Sequence, residues 1–219
     1  MDGARIGTTK HNVIYDDLRD YIDEVEKLGE LRRIDGATWE EDIGLATELL
    51  QHSETAPCAL FDNIPGYPAG HRVFTNFFGG QRQNITLGFP AHFSKFELSE
   101  AFNASYKSIV QNPLPYETVE TGPVMENIME GDDVDVLSLP VPLWHADDGG
   151  RYIGTGSFNV TRDPEENWIN VGTYRVMVQD KKTVGFYISP GKHGRIHREK
   201  YRALGEPMPV CVVVGVDPL

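Results

Sequence analysis

The stretch SFNVTRDPEENWINVGTYRVMVQDKKTVGFYI, residues 157–188, decides how the chain is read. Ser157 to Arg162, Val171 to Val178 and Thr183 to Ile188 are rich in β-branched and aromatic residues. Asp163-Pro164 and Asp180-Lys181-Lys182 supply turns between them, so the spacing predicts three strands in succession. Arg175 stands between Tyr174 and Val176 on the second of these. A strand arginine is costly to bury unless an anion meets it, and its planar fork fits a carboxylate or a phosphate. An edge-exposed arginine is the plainer reading. Asn170 offers either a donor to a ligand or a carbonyl oxygen to a hard cation, with a turn role the plainer expectation.

Outward on the C-terminal side, Pro190 to His197 places His193, His197, Lys192 and Arg195 in a loop that opens a helix over Ile196 to Leu204. Helix N-termini bind phosphates, and two imidazoles four apart have the spacing of a metal pair, although a lone histidine is more often structural. Val210 to Val216 then reads as a strand buried on both faces. The 219 residues end directly after it, so we expect further residues or a partner to cover that strand. On the N-terminal side, Trp144 to Gly156 carries glycines at 149, 150, 154 and 156. These allow close backbone approach to a ligand, or form a turn into a strand. Asp147 and Asp148 there read as solvated turn acids before metal ligands, and His145 as a structural histidine.

Residues 111–150 carry Pro113, Pro115, Pro123, Pro140 and Pro142, which break any long helix and mark a connector. Before it, an α/β unit spans about 12–110. Leu18, Tyr21, Ile22, Val25 and Leu28 have helical spacing, with Asp16 and Asp17 at the start and Gly29 at the end. Leu31–Ile34 reads as a strand, Glu40–Gln51 as a helix, Ala59–Phe61 as a strand, Arg72–Phe78 as a strand closed by Gly79-Gly80, and Ser94–Val110 as a helix.

Composition is that of an ordinary globular protein, 40% hydrophobic and 24% charged. No apolar run approaches the roughly 18 residues of a membrane span, the first residues lack an apolar leader core, and two cysteines make no disulfide framework. A reducing cytoplasm is the expectation, with Cys58 and Cys211 as packing residues. The net charge of -13 disfavours nucleic acid as a partner. It is uneven: residues 1–150 hold 26 of the 33 acidic residues but 10 of the 20 basic ones, so the last third is slightly basic and suited to an anion. Gly-x-Ser-x-Gly, Walker and paired-cysteine zinc patterns are all missing.

The chain resembles the UbiD family of prenylated-flavin-dependent (de)carboxylases. The resemblance rests on residues 17–31, on Asp147–Gly156, Thr161-Arg162-Asp163-Pro164, Asn170–Arg175, Pro190-Gly191-Lys192-His193 and Val210–Pro218, all in family order. It implies an α+β chain: an N-terminal α/β domain over 1–115, then the start of a split β-barrel, flavin-reductase-like cofactor domain over 116–219, with the C-terminal domain absent. By position, Asn170 and His193 resemble two ligands of the Mn2+ that grips the cofactor phosphate. Thr155, Val171, Gly172, Thr173 and Lys192 resemble contacts to prenylated FMN, and the backbone of Val171 a K+ contact. Arg175 resembles the catalytic arginine beside the flavin and the substrate carboxylate. The implied reaction is decarboxylation of an aromatic or α,β-unsaturated acid to CO2, with the flavin as electron sink and a carboxylic acid as final proton donor. A flavin prenyltransferase would supply the cofactor, and a homo-oligomer, dimer or hexamer, is expected. The family is roughly twice as long, and its third metal ligand and proton donor find no match here. The implied outcome is that these 219 residues alone do not turn over substrate. A flavin-binding module and a non-catalytic subunit are the competing readings.

Overall fold

The computed structural model describes residues 13–113, 115–154, 156–216 and 218. It is a mixed α/β fold built on three three-stranded sheets.

The first sheet grows from a βαβ unit. Helix α1 (Leu18–Lys27) starts where the Asp17 carboxylate accepts the N–H groups of Arg19 and Asp20, and buries Tyr21, Ile22 and Val25. Gly29, at φ +74°, turns the chain out of it. Strand β1 (Leu31–Asp35) crosses through α2 (Asp42–Gln51) to β2 (Cys58–Asp62), which pairs parallel to β1 and antiparallel to β3 (Val73–Thr75). β2 is the central strand. Cys58 and Leu60 face one side with α1, and Ala59 and Phe61 face the other with Ile43 of α2, so both faces are covered. Burial pushes the Cys58 thiol up to about 11, which makes it the inert packing residue expected.

Arg72–Phe78 is strand only over Val73–Thr75, and the Gly79-Gly80 pair starts a helix, α3 (Gly80–Thr86), in place of a turn. The cause is distant in sequence. The Glu30 carboxylate accepts the N–H groups of Gln81 and Arg82 and pairs with the buried Arg82 guanidinium at 2.6 Å. Helix α4 (Lys95–Gln111) follows, opened by a capping box between Ser94 and Glu97.

The connector carries short 3-10 turns at Pro123–Met125, Gly131–Asp133 and Val136–Ser138. Its end docks on α2: the Trp144 carbonyl lies 2.3 Å from where a Cβ on Gly44 would stand, so only glycine fits there. Arg151 donates to the Val141 carbonyl and stacks over Trp39 at 4.0 Å, tying the connector to the first sheet.

Two antiparallel sheets follow. One is β4 (Arg151–Gly154), β7 (Arg175–Val178) and β8 (Val184–Tyr187), in the order β4-β7-β8. The other is β6 (Ile169–Gly172), β5 (Phe158–Arg162) and β9 (Val210–Val213), in the order β6-β5-β9. Among the described residues these strands close no barrel. Helix α5 (His193–Leu204) packs on β5 and β6 and ends at Gly205, φ +73°.

Two expectations change here. Val171–Val178 is not one strand: the chain leaves the β5 sheet after Gly172 and enters the β4 sheet at Arg175. The Tyr174 side chain is buried between the two, on the same alternating parity as Asn170, Val176 and Val178. The Val210–Val216 run lies open: β9 pairs with β5 and, among the described residues, no other strand, and Val210, Cys211, Val214 and Val216 are exposed, which is the uncovered strand that further residues or a partner are expected to cover. Cys211, expected as a packing residue, is exposed among the described residues.

Candidate functional site

The expected residues that the structure describes lie at two places, the switch from β6 to β7 and the start of α5, which Tyr174 links. Asn170 lies on strand β6, opposite Thr161 of β5, and not in a turn. Its side chain is buried, and both amide protons are used. Nδ2 donates to Thr161 Oγ1 at 3.2 Å and to the Tyr174 hydroxyl at 3.1 Å. The amide orientation is assigned by those two bonds. Oδ1 receives no hydrogen bond from a described residue.

α5 begins one turn earlier than the periodicity predicts, at His193. Lys192 is its N-cap and makes no side-chain capping bond; the Gly194 N–H instead donates to the Tyr174 hydroxyl at 3.1 Å. One phenol oxygen thereby links β6 to the first turn of α5. Glycine is required at both contacts. A Cβ at Gly172 would lie 2.7 Å from the Tyr174 hydroxyl, and one at Gly194 would lie 2.9 Å from it.

His193 is exposed, with its ring edge-on to Trp168 at 4.8 Å. His197 is not its partner in a metal pair. The His197 ring lies edge-on to the same Trp168 indole, at 5.0 Å. His197 is buried and its Nδ1 meets Thr161 Oγ1 at 3.0 Å. Burial pulls its pKa below the usual imidazole range, opposed by the Asp163 carboxylate 3.7 Å away. Asp163 is itself held down to about 2, chiefly by its hydrogen bond from Lys200, then by the N–H groups of Glu166 and Glu165.

Arg175 and Lys192 are exposed, and neither meets a carboxylate among the described residues. Most other cations of the last third are occupied: Lys181 and Lys182 by Asp135 and Asp132, Arg195 and Arg198 by Glu199, Lys200 by Asp163 and Glu165. Arg175 lies opposite Tyr187 of β8, its guanidinium carbon 5.9 Å from the Tyr152 ring. Val171 and Thr173 are exposed beside Gly172, and Thr155 lies outside the described residues.

His145 and Asp148 do not assemble a metal site. The ring contacts Asp148 and Glu48 at 3.5 and 3.7 Å on an exposed surface. No group of three or more His, Cys, Asp or Glu among the described residues is arranged to hold a metal. Tyr174 and Thr161 are the site residues whose roles sequence reasoning passed over, and His197, singled out as a possible metal partner of His193, meets Thr161 instead. The signal for Tyr174 was a glycine two residues before it, which alone says little.

Family models match nearly the whole chain. Residues 22–112 match the 3-octaprenyl-4-hydroxybenzoate carboxy-lyase N-terminal domain, and residues 117–219 the Rift-related domain of the same enzyme. The chain belongs to the UbiD family. A pyrrole-2-carboxylic acid decarboxylase of Pseudomonas aeruginosa is 32% identical over 214 residues, covering 92% of this chain and 42% of its own length. The closed form of the vanillic acid decarboxylase of Sedimentibacter hydroxybenzoicus superposes with a TM-score of 0.85 at 30% identity, over 94% of this chain and 44% of that one. An evolved dimeric form of the UbiD-class enzyme HmfF of Pelotomaculum thermopropionicum, in complex with prFMN, gives a TM-score of 0.78 at 26% identity, over 92% and 45%. The chain thus spans under half the length of these UbiD relatives. No helix among the described residues is long and apolar enough to cross a membrane.

Proposed function

We propose that this chain supplies the cofactor-phosphate and substrate-carboxylate portion of a UbiD-type decarboxylase. Asn170 carries the reading. Its amide protons are consumed by two hydroxyls, which leaves Oδ1, with no hydrogen bond from a described residue, as a fixed hard donor beside the first turn of α5. Such an oxygen suits a cation, and the neighbouring exposed imidazole of His193 suits the same one. Lys192 meets no carboxylate among the described residues. That donor set would suit a divalent metal, and Lys192 would suit a phosphate beside it.

On this reading Asn170 and His193 hold Mn2+, the Val171 backbone contacts K+, and Thr155, Val171, Gly172, Thr173, Arg175 and Lys192 line prenylated FMN. When bound, prenylated FMN supplies the electron sink that decarboxylation needs. Arg175 binds and orients the substrate carboxylate through its fork, which meets no carboxylate among the described residues. The carboxylate is lost as neutral CO2, and a carboxylic acid protonates the carbon it leaves. We assign that acid, and the third metal ligand, to the portion of the relatives that this chain does not span. The two later sheets are read as halves of a split β-barrel, with domains over 1–115 and 116–219. Substrates are aromatic or α,β-unsaturated acids. A flavin prenyltransferase provides the cofactor, and the assembled enzyme is a homo-oligomer.

The test is CO2 release by the native protein loaded with prenylated FMN, Mn2+ and K+, offered pyrrole-2-carboxylate, hydroxybenzoates and cinnamate. Turnover of one class is expected, with Arg175→Ala lowering it at least a hundredfold while the bound-flavin spectrum stays. Undiminished turnover in Arg175→Ala overturns the assignment.

A further inference from the structure

We propose that Tyr174 is a positioning residue. Its buried hydroxyl sets the Asn170 amide against the first turn of α5 and thereby fixes where the Asn170 oxygen and the His193 imidazole can grip a cation. The inference rests on the reading of Asn170 and His193 as Mn2+ ligands.

Tyr174 lies at the sheet switch, with its ring edge-on to Phe186 at 5.7 Å and its side chain 8% exposed. If the ring served only as packing, phenylalanine would serve as well. Two observations point past packing. The hydroxyl oxygen accepts two hydrogen bonds, from Asn170 Nδ2 and from the Gly194 N–H, both at 3.1 Å, so one atom joins a strand to a helix of a different part of the chain. The two glycines that the fold requires here, Gly172 and Gly194, both abut the hydroxyl end of the ring. The clamped part of the residue is therefore the oxygen and its carbon.

The chemical consequence follows from the amide. An asparagine side chain can turn end for end. With the Tyr174 and Thr161 oxygens both taking its protons, NH2 is held inward and Oδ1 is the end left for a ligand. Without the phenol, one amide proton and the Gly194 N–H lose their acceptors together, and the amide is free to present NH2, which cannot ligate a cation.

The experiment compares the full chain with Tyr174→Phe and with a control, Tyr21→Phe. The control deletes a buried hydroxyl that donates to the Phe77 carbonyl in the first unit. Mn2+ binding in saturating FMN is titrated by the loss of the free-ion electron paramagnetic resonance signal. Hydrogen exchange of the Gly194 amide is followed by mass spectrometry on the same samples. Tyr174→Phe is expected to raise the Mn2+ Kd at least tenfold and to speed Gly194 exchange at least tenfold, with Tyr21→Phe within twofold of wild type in both. Mn2+ affinity within twofold of wild type in Tyr174→Phe overturns the proposal, as does unchanged Gly194 exchange. Wild-type protein that holds no Mn2+ in FMN overturns the metal reading of the site, while the exchange arm still judges the hydroxyl. Should Tyr174→Phe not fold, 4-fluorophenylalanine at position 174, which fills the hydroxyl's space but accepts hydrogen bonds poorly, is expected to show the same loss of Mn2+ affinity. Unchanged affinity there overturns the proposal.

Discussion

The first sheet with its helices and the paired sheets after residue 150 are built on opposite terms. Among the described residues up to 113, fifteen hydrophobic side chains are buried against four polar ones; from 115 onward the ratio is five to six. The first unit closes both faces of β2 with apolar side chains and admits one buried ion pair, Glu30 with Arg82. The second uses its interior for a chain of polar groups, His197 to Thr161 to Asn170 to Tyr174 to the Gly194 amide. An interior polar chain gives up hydrophobic stabilisation and gains direction, since each member fixes the next. The first unit is a scaffold, and the second holds one amide oxygen at a set place.

Mutations should separate the two. Glu30→Ala should do the most damage to stability, about 3 kcal/mol or more, because it leaves Arg82 buried without its counter-charge and uncaps α3. Chemical denaturation reads this directly, and Mn2+ affinity of the folded fraction should stay within twofold. Asn170→Ala should cost about 1 to 2 kcal/mol, the price of two buried hydroxyls losing a donor, yet reduce Mn2+ retention in FMN by at least a hundredfold. A larger stability loss with normal metal retention would make Asn170 a structural residue. His193→Ala, at an exposed position, should move stability by less than about 0.5 kcal/mol. Its signature is metal and phosphate lost on dialysis, and unchanged metal content would argue against its role.

The gentlest probe is acid. Asp163 is held down to about 2, so in the folded state it stays charged where an unfolded chain, near 3.9, takes up its proton. Its contribution is full above about pH 4 and is lost as pH falls toward 2. Asp163→Asn should therefore flatten the stability–pH curve in that window while leaving it unchanged near pH 7 apart from a constant offset. An unaltered slope would show that Asp163 is not held down.

What the sequence made legible follows the same division. α1 and α4 carry their own start signals, Asp17 and the Ser94–Glu97 box, within three residues of where they act. α3 was hidden because its cap, Glu30, lies 51 residues before Gln81, so Gly79-Gly80 reads as an ending. The break between β6 and β7 was hidden because both halves are apolar strand formers. Alternation alone puts Tyr174 on the buried side with Asn170, Val176 and Val178, but the partner of its hydroxyl, the Gly194 amide, lies twenty residues on. Burial of Asn170 depends on pairing with β5, which no local pattern announces, so from composition it reads as a turn residue. The site was placed by family resemblance and by Arg175 standing on an apolar strand-forming run. The polar chain beneath it needed the structure.

The most direct test of the account is the metal dependence of flavin retention. Equilibrium dialysis of wild-type protein with FMN, with and without Mn2+, should show retention that needs the metal and that disappears in Asn170→Ala and His193→Ala alike. FMN retained equally without Mn2+, or retained by both variants as by wild type, would contradict the assignment of this site.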